Sequence, residues 1–305
     1  MREQDLKRFL GTDTFRGYRN KTDVTQEDKG VSVEGSQNCI IVDGRKIGVR
    51  PGFEYVGGRS TDRYGIQGGG SWKNSSGDQI MWRSYNNGSN GVIEVYINGV
   101  WETLNSSFTS GKFRESTFWD TTEVIDLLLL VNGSSNIYAW SGATATFASA
   151  TTNTLTLQGG GTWAESRWLT SGTRGGRIKD DAGTWHEFTY TGGENTDTLT
   201  GVSIDISLLT ITAGNPILQS VRTSANQPSA TAKNDFCITY NNQFFVFSET
   251  SRLVFGSKLN DYDDFSAPTS PRLPAEAIHL TLDEEPTGTA VAPTGSSLYN
   301  PRSYS

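Results

Sequence analysis

Histidine is almost missing from this sequence: only His186 and His279 occur among 305 residues. Neither has a His or Cys two or four positions away, so neither is expected to bind a metal or act as an acid–base catalyst. Cysteine is as scarce. Cys39 and Cys237 lie far apart, each in an apolar strand-like run with no His or Cys at metal-ligand spacing. Buried free thiols are expected there rather than a disulfide. Long apolar runs are absent too. The longest, Ile125 to Val131, is broken by Asp126 and is far too short to cross a bilayer, so no membrane insertion is expected. The opening MREQDLKRFL is charged from its second residue and has no apolar core of signal-peptide length, so synthesis in the cytoplasm is expected. There is no basic surplus. A formal charge of −7 and a pI near 5.0 argue against a surface built mainly to hold nucleic acid. Arg45, Lys46 and Arg50 read as solvated strand ends. Gly-x-Ser-x-Gly, Walker and HExxH motifs are missing, which removes the sequence signatures of the commonest hydrolases and nucleotide enzymes. Long stretches of Ala, Leu, Glu and Lys are nearly absent as well.

What the chain does have is 34 glycines, 11 % aromatic residues and a hydrophobic fraction of only 34 %. That balance fits many short, half-buried strands joined by Gly- and Asn-containing turns. Asp43-Gly44 sits between Cys39–Val42 and Lys46–Val49, a strong hairpin signal. A Gly-rich stretch, Gly68 to Gly70, precedes the strand-like Gln79–Tyr85. Val92–Ile97 leads through Asn98-Gly99 to Val100-Trp101. Val124–Val131 leads through Asn132-Gly133 to Ile137–Trp140.

IEVYINGVWETL and LLLLVNGSSNIYAWSG share the order of apolar strand, Asn-Gly turn and strand ending in Trp. FCITYNNQFFVFSETSRLVFGSKLNDYDDFS reads as a third copy through Asn241-Asn242. Recurrence at roughly forty-residue intervals predicts propeller blades, although a β-sandwich would also give regular strands and turns. The expected fold is all-β and β-propeller-like, in four parts: an extended N-terminal arm over 1–35, first blades over 36–144, a small inserted β module over 145–230, and a further blade with the start of the next over 231–305. The arm is densely charged, with room for a short helix at Glu3–Leu10. Two readings of it stay open: a terminus without a fixed partner, or an arm that orders on a neighbouring subunit. The Thr/Ala-rich segment after residue 145 breaks the rhythm, and TWHEFTYTGGENTDTLTGV within it has strand alternation around Gly192-Gly193.

Paired carboxylates could in principle serve a glycosidase. Asp180-Asp181 before Gly183 read as a turn. Asp261, Asp263 and Asp264 do not reproduce the calcium-loop spacing, and Asp283-Glu284-Glu285 before Pro286 read as a solvated loop. The eight tryptophans, Trp72, Trp82, Trp101, Trp119, Trp140, Trp163, Trp168 and Trp185, are expected to lock sheets together rather than form a sugar platform. No catalytic, cofactor-binding or metal residue is assigned, and no cofactor is expected.

Three pieces carry a resemblance. NCIIVDGRKIGVRPGFEYVG resembles the opening hairpin of β-propeller virion proteins of tailed phages. LLLLVNGSSNIYAWSG is similar to one of their blades. NNQFFVFSETSRLVFGSKLNDYDDFS resembles their blade that closes on Asp-Phe-Ser. The family includes tail-hub, nozzle and head-closure (head–tail connector) propellers, and FTYTGGENTDTLTGV is similar to small modules in phage structural proteins. The resemblance covers about half of the chain and implies a structural, non-enzymatic role in the virion. It implies a homo-oligomeric ring contacting portal, adaptor or tail proteins, with DNA passing through the assembly but no specific nucleic-acid binding. Family propellers continue for several blades past Asp-Phe-Ser, whereas here AIHLTLDEEPTGTAVAPTGSSLYNPRSYS follows. A shortened propeller, or one completed by another chain, is the expectation. A glycan- or receptor-binding tail protein is the alternative function, and a carbohydrate-active propeller enzyme a further one.

Overall fold

A computed structural model of the chain describes residues 17–18, 31–32, 39–42, 46–49, 65–73, 79–134, 136–158, 168–172, 174–194, 196–224, 226, 228, 234–269 and 273–282. The chain forms two compact units, Met1–Val56 and Gly57–Ser305. In the first, β1 (Gly17–Tyr18) pairs in parallel with β2 (Val31–Ser32). There too β3 (Cys39–Val42) pairs antiparallel with β4 (Lys46–Val49), with Val42 opposite Lys46, so the hairpin signalled by Asp43-Gly44 forms. Glu3–Leu10, where the sequence leaves room for a short helix, lies outside the described residues.

The second unit is nearly all-β. Strands β5 (Ile66–Lys73), β6 (Gln79–Asn86), β7 (Gly91–Ile97) and β8 (Val100–Phe108) make a four-stranded antiparallel meander. A second meander begins with β9 (Arg114–Asp120), β10 (Ile125–Val131) and β11 (Ile137–Trp140). The chain then leaves it to build a six-stranded sheet from β12 (Thr144–Ala150), β13 (Thr154–Gln158), β14 (Gly175–Lys179), β15 (Trp185–Thr189), β16 (Thr198–Thr200) and β17 (Pro216–Gln219). It returns as β18 (Arg222–Thr223), the fourth strand of the second meander, beside β11. The third meander is β19 (Phe236–Tyr240), β20 (Gln243–Phe247), β21 (Leu253–Gly256) and β22 (Ile278–Thr281). Residues Ile278–Thr281, read from sequence as the start of a next blade, are thus the fourth strand of this sheet, with Val254 opposite Leu280.

The second meander lies between the other two. Every residue of β10 is buried, and its alternate side chains enter different cores. Leu128 and Leu130 join Trp72, Ile80, Trp82, Ile93, Val95 and Trp140. Leu127, Leu129 and Val131 join Phe118, Cys237, Phe244 and Val246. A strand covered on both faces needs an unbroken apolar run rather than alternation, and that accounts for the sequence LLLLV. Cys237 is buried and outside any disulfide.

Between meanders, the first strands come closest, with β9 packed against both β5 and β19. On one side this approach needs glycine: a Cβ at Gly68 would stand 2.5 Å from the Phe113 carbonyl oxygen. On the other side Ser116 Oγ donates to Thr239 Oγ1 at 2.8 Å.

The three hairpins aligned in the sequence prove not to be equivalent. Asn98-Gly99 joins the third and fourth strands of its sheet, Asn132-Gly133 the second and third, and Asn241-Asn242 the first and second. Asn98, Gly99, Asn241 and Asn242 all have positive φ, from 48° to 84°, as a two-residue hairpin turn requires whichever strands it joins. The repeat that the sheets share lies in the turn after each second strand. There Asn87 Oδ1 accepts from Ser89 N at 3.1 Å, Asn132 Oδ1 from Ser134 N at 3.3 Å, and Ser248 Oγ from Thr250 N at 3.2 Å. The Asn-Gly-Ser of residues 87–89 and 132–134 is the sequence trace of that match.

Candidate functional site

The connection between third and fourth strands varies most among the meanders: two residues in the first, the whole six-stranded sheet in the second, and residues 257–277 in the third. Elaboration concentrated at one such place marks where a scaffold carries its function, so the junction of the six-stranded sheet with the meanders is the candidate site.

The six-stranded sheet grows out of the β11/β18 hairpin as a continuation of it. Tyr138 faces Thr223 and Ala139 faces Arg222; beyond Trp140 the two chain segments pair again, Thr144 with Leu218 and Ala145 with Ile217. The sheet then curls into a half-barrel whose edge strands, β15 and β16, are drawn together at one end. Gly192 bridges to Thr200, and Ser203 N donates to the Thr189 carbonyl at 2.9 Å. Phe147, Leu155, Trp168, Ile178, Phe188, Leu199 and Ile217 fill a core of its own. Gly176 on β14 makes room for the Phe188 ring, which a Cβ there would meet at 2.4 Å.

Gln219 forms the root. It is fully buried, and its side-chain oxygen accepts from Tyr190 OH at 2.9 Å and Leu169 N at 3.3 Å while its amide nitrogen donates to the Gly175 carbonyl. Its own carbonyl accepts the Trp140 indole N–H at 2.9 Å. A buried amide with its groups satisfied specifies one arrangement, because losing any partner strands a polar atom in the core.

Two anchors hold the module, one to the first meander and one to the second. Toward the first meander, Lys179 Nζ meets Glu102 Oε2 at 2.7 Å and Arg177 donates to the Leu104 carbonyl. Toward the second meander, Glu123 in the β9–β10 turn is gripped by residues 170–171. Thr170 N and Oγ1 donate to Oε2 at 2.7 and 2.8 Å, and Ser171 N and Oγ donate to Oε1 at 3.0 and 2.5 Å. Arg222 Nη2 stands 3.6 Å from Oε1 and donates to the Ser171 carbonyl at 2.6 Å. Asp120 Oδ1 shapes the turn by accepting from Thr122 N and Glu123 N.

Burial alone would raise the Glu123 carboxyl. The Ser171 and Thr170 donors outweigh it and hold the group below its usual range. Burial pushes the Tyr190 phenol and Cys237 thiol up, and Tyr262 up to about 12. The phenols and the thiol therefore stay neutral and unreactive near neutral pH, and Glu123 is a weak base. Glu115 differs: burial raises it, although the Trp82 indole N–H donates to it.

No family model, curated protein or solved structure matches this chain.

Asp180 and Asp181 form the β14–β15 turn but point to different partners. Asp180 Oδ2 lies 2.9 Å from His186 Nε2, while Asp181 accepts from Thr212 and Asn215. The Asp180–His186 contact was missed in the sequence because it runs across a hairpin: Ile178 faces His186, which brings residue 180 alongside. His279 Nε2 is 3.0 Å from the Phe265 carbonyl oxygen. Asp263 accepts from Ser224 Oγ and from Asn226 N, Asp264 pairs with Lys258, and Asp261 caps Asp263 N. Among the described residues no three His, Cys, Asp or Glu side chains gather as a metal site, and no helix is long and apolar enough to cross a membrane. Trp72, Trp82, Trp140 and Trp168 are buried, whereas Trp119 is exposed. Trp163, Arg45, Arg50, Asp283, Glu284 and Glu285 lie outside the described residues.

Proposed function

We propose that this protein is an assembly component of a tailed-phage virion, a ring subunit of the tail hub, nozzle or head–tail junction. On this reading the three meanders are blades of a β-propeller, and the half-barrel module is a rigid docking element mounted on them. The observation that carries the proposal is the arrangement of the meanders. They follow one another in the chain, share a turn after the second strand, and pack face to face with their first strands closest, as blades around an axis do. The doubly anchored module supports a mechanical role, since a body that transmits force between neighbours needs its appendages fixed. The sequence resemblance supplies the phage assignment; the fold alone does not choose a function.

The experiment is to purify particles of a phage encoding this protein and to test for it by mass spectrometry after density banding. Co-banding at a fixed copy number per particle is expected. A protein left in the lysate, with particles complete and infectious in its absence, contradicts the proposal.

A further inference from the structure

The Glu123 contact is built as a binding site with its ligand seated. Two consecutive residues, Thr170 and Ser171, each direct a backbone N–H and a hydroxyl to one carboxylate oxygen, and Arg222 adds positive charge at 3.6 Å. These donors address the two oxygens of a carboxylate. The Glu123 side chain is only 1 % exposed, so the carboxylate is desolvated and depends on these donors. The donors belong to the module and its return strand, while the carboxylate belongs to the β9–β10 turn. Site and ligand therefore meet across the junction. The turn that presents Glu123 is also held in a costly shape: Val124, a β-branched residue, has φ 58° and is 66 % exposed, so burial of its side chain offsets little of that strain.

We propose that residues 170–171 with Arg222 form a carboxylate-binding site for which Glu123 is the in-chain ligand. The ligand class is a carboxylate supplied by a protein chain, an Asp or Glu side chain or a C-terminus, that takes Glu123's place and frees this side of the module. The Gln219 root and the Lys179–Glu102 anchor keep the module attached when the exchange occurs. This inference does not require the virion reading.

The test uses the full chain, with acetate as the probe. In Glu123→Ala, amide exchange at residues 170 and 171 is expected to accelerate on the order of tenfold. Sodium acetate is expected to restore that protection and raise the melting temperature, whereas sodium chloride at equal ionic strength does neither. The wild type, its cradle filled, gains much less from acetate. If acetate and chloride act alike on Glu123→Ala, the cradle is not a carboxylate site and the proposal fails. Should that variant not fold, Glu123→Gln serves: protection at 170–171 falls while β12–β17 stay protected, and unchanged protection at 170–171 overturns the proposal.

Discussion

Single residues set the junction's response to acid and the spacing of the sheets. Glu123 is held below its ordinary value of 4.5. Its contribution to stability is therefore fully present above that value and is lost as pH falls through the lowered one. The charged or titratable groups facing it are Arg222 from β18, Asp120 within its own turn, and Tyr190 after β15. Asp180, Asp181 and Asp264 are held low as well, so acid sensitivity of the whole protein does not isolate Glu123. The difference between wild type and Glu123→Gln does. Urea unfolding is expected to show a smaller acid-induced loss in the variant, and parallel pH profiles would refute this. At the first strands, Gly68→Ala forces a methyl against backbone rather than against a movable side chain. A cost of about 1–3 kcal/mol is expected. Leu129→Ala, in a core closed on both sides, is expected to cost roughly 2–5 kcal/mol by the same unfolding measurement.

At the level of elements, hairpins were legible in the sequence and their equivalence was not. Cys39–Val49, Gly91–Phe108 and Phe236–Phe247 carry strand patterns around Asp or Asn turns, a local code that needs no tertiary information. The same code misled the repeat alignment, because Asn-Gly suits a tight hairpin wherever it falls in a sheet. The matched turns at Asn87, Asn132 and Ser248 were harder to see. Two use Asn and one uses Ser, and the inserted sheet intervenes before the third. Strand β10 was placed from its apolar run, but its partners on the two faces came from distant sequence. The Glu123 cradle left no trace: carboxylate and donors stand 47 and 48 residues apart, and neither Thr170 nor Ser171 is distinctive alone. The way the module grows from the hairpin yields a further prediction. Thr144 already faces Leu218, so replacing residues 145–217 with Asn-Gly closes the ladder with a two-residue turn. The shortened protein is expected to keep a cooperative melt and β-type far-UV circular dichroism, at reduced stability because Trp185 no longer packs against the first core. Loss of cooperative folding would mean that the meanders depend on the module.

For the whole molecule, the claim at stake is that three meanders are consecutive blades around an axis and serve a particle. The faces that close each interface are of one kind, aromatic and aliphatic, and this is how repeated sheets build a rigid body without a separate core for each. The most direct measurement is a cryo-electron microscopy map of the phage particle at side-chain resolution. The account predicts this chain in a ring at the tail hub, nozzle or head–tail junction, with the three meanders as adjacent blades and the six-stranded module against a neighbouring protein. A particle map with every density assigned to other chains would contradict it, as would this chain present with its meanders not arranged around an axis.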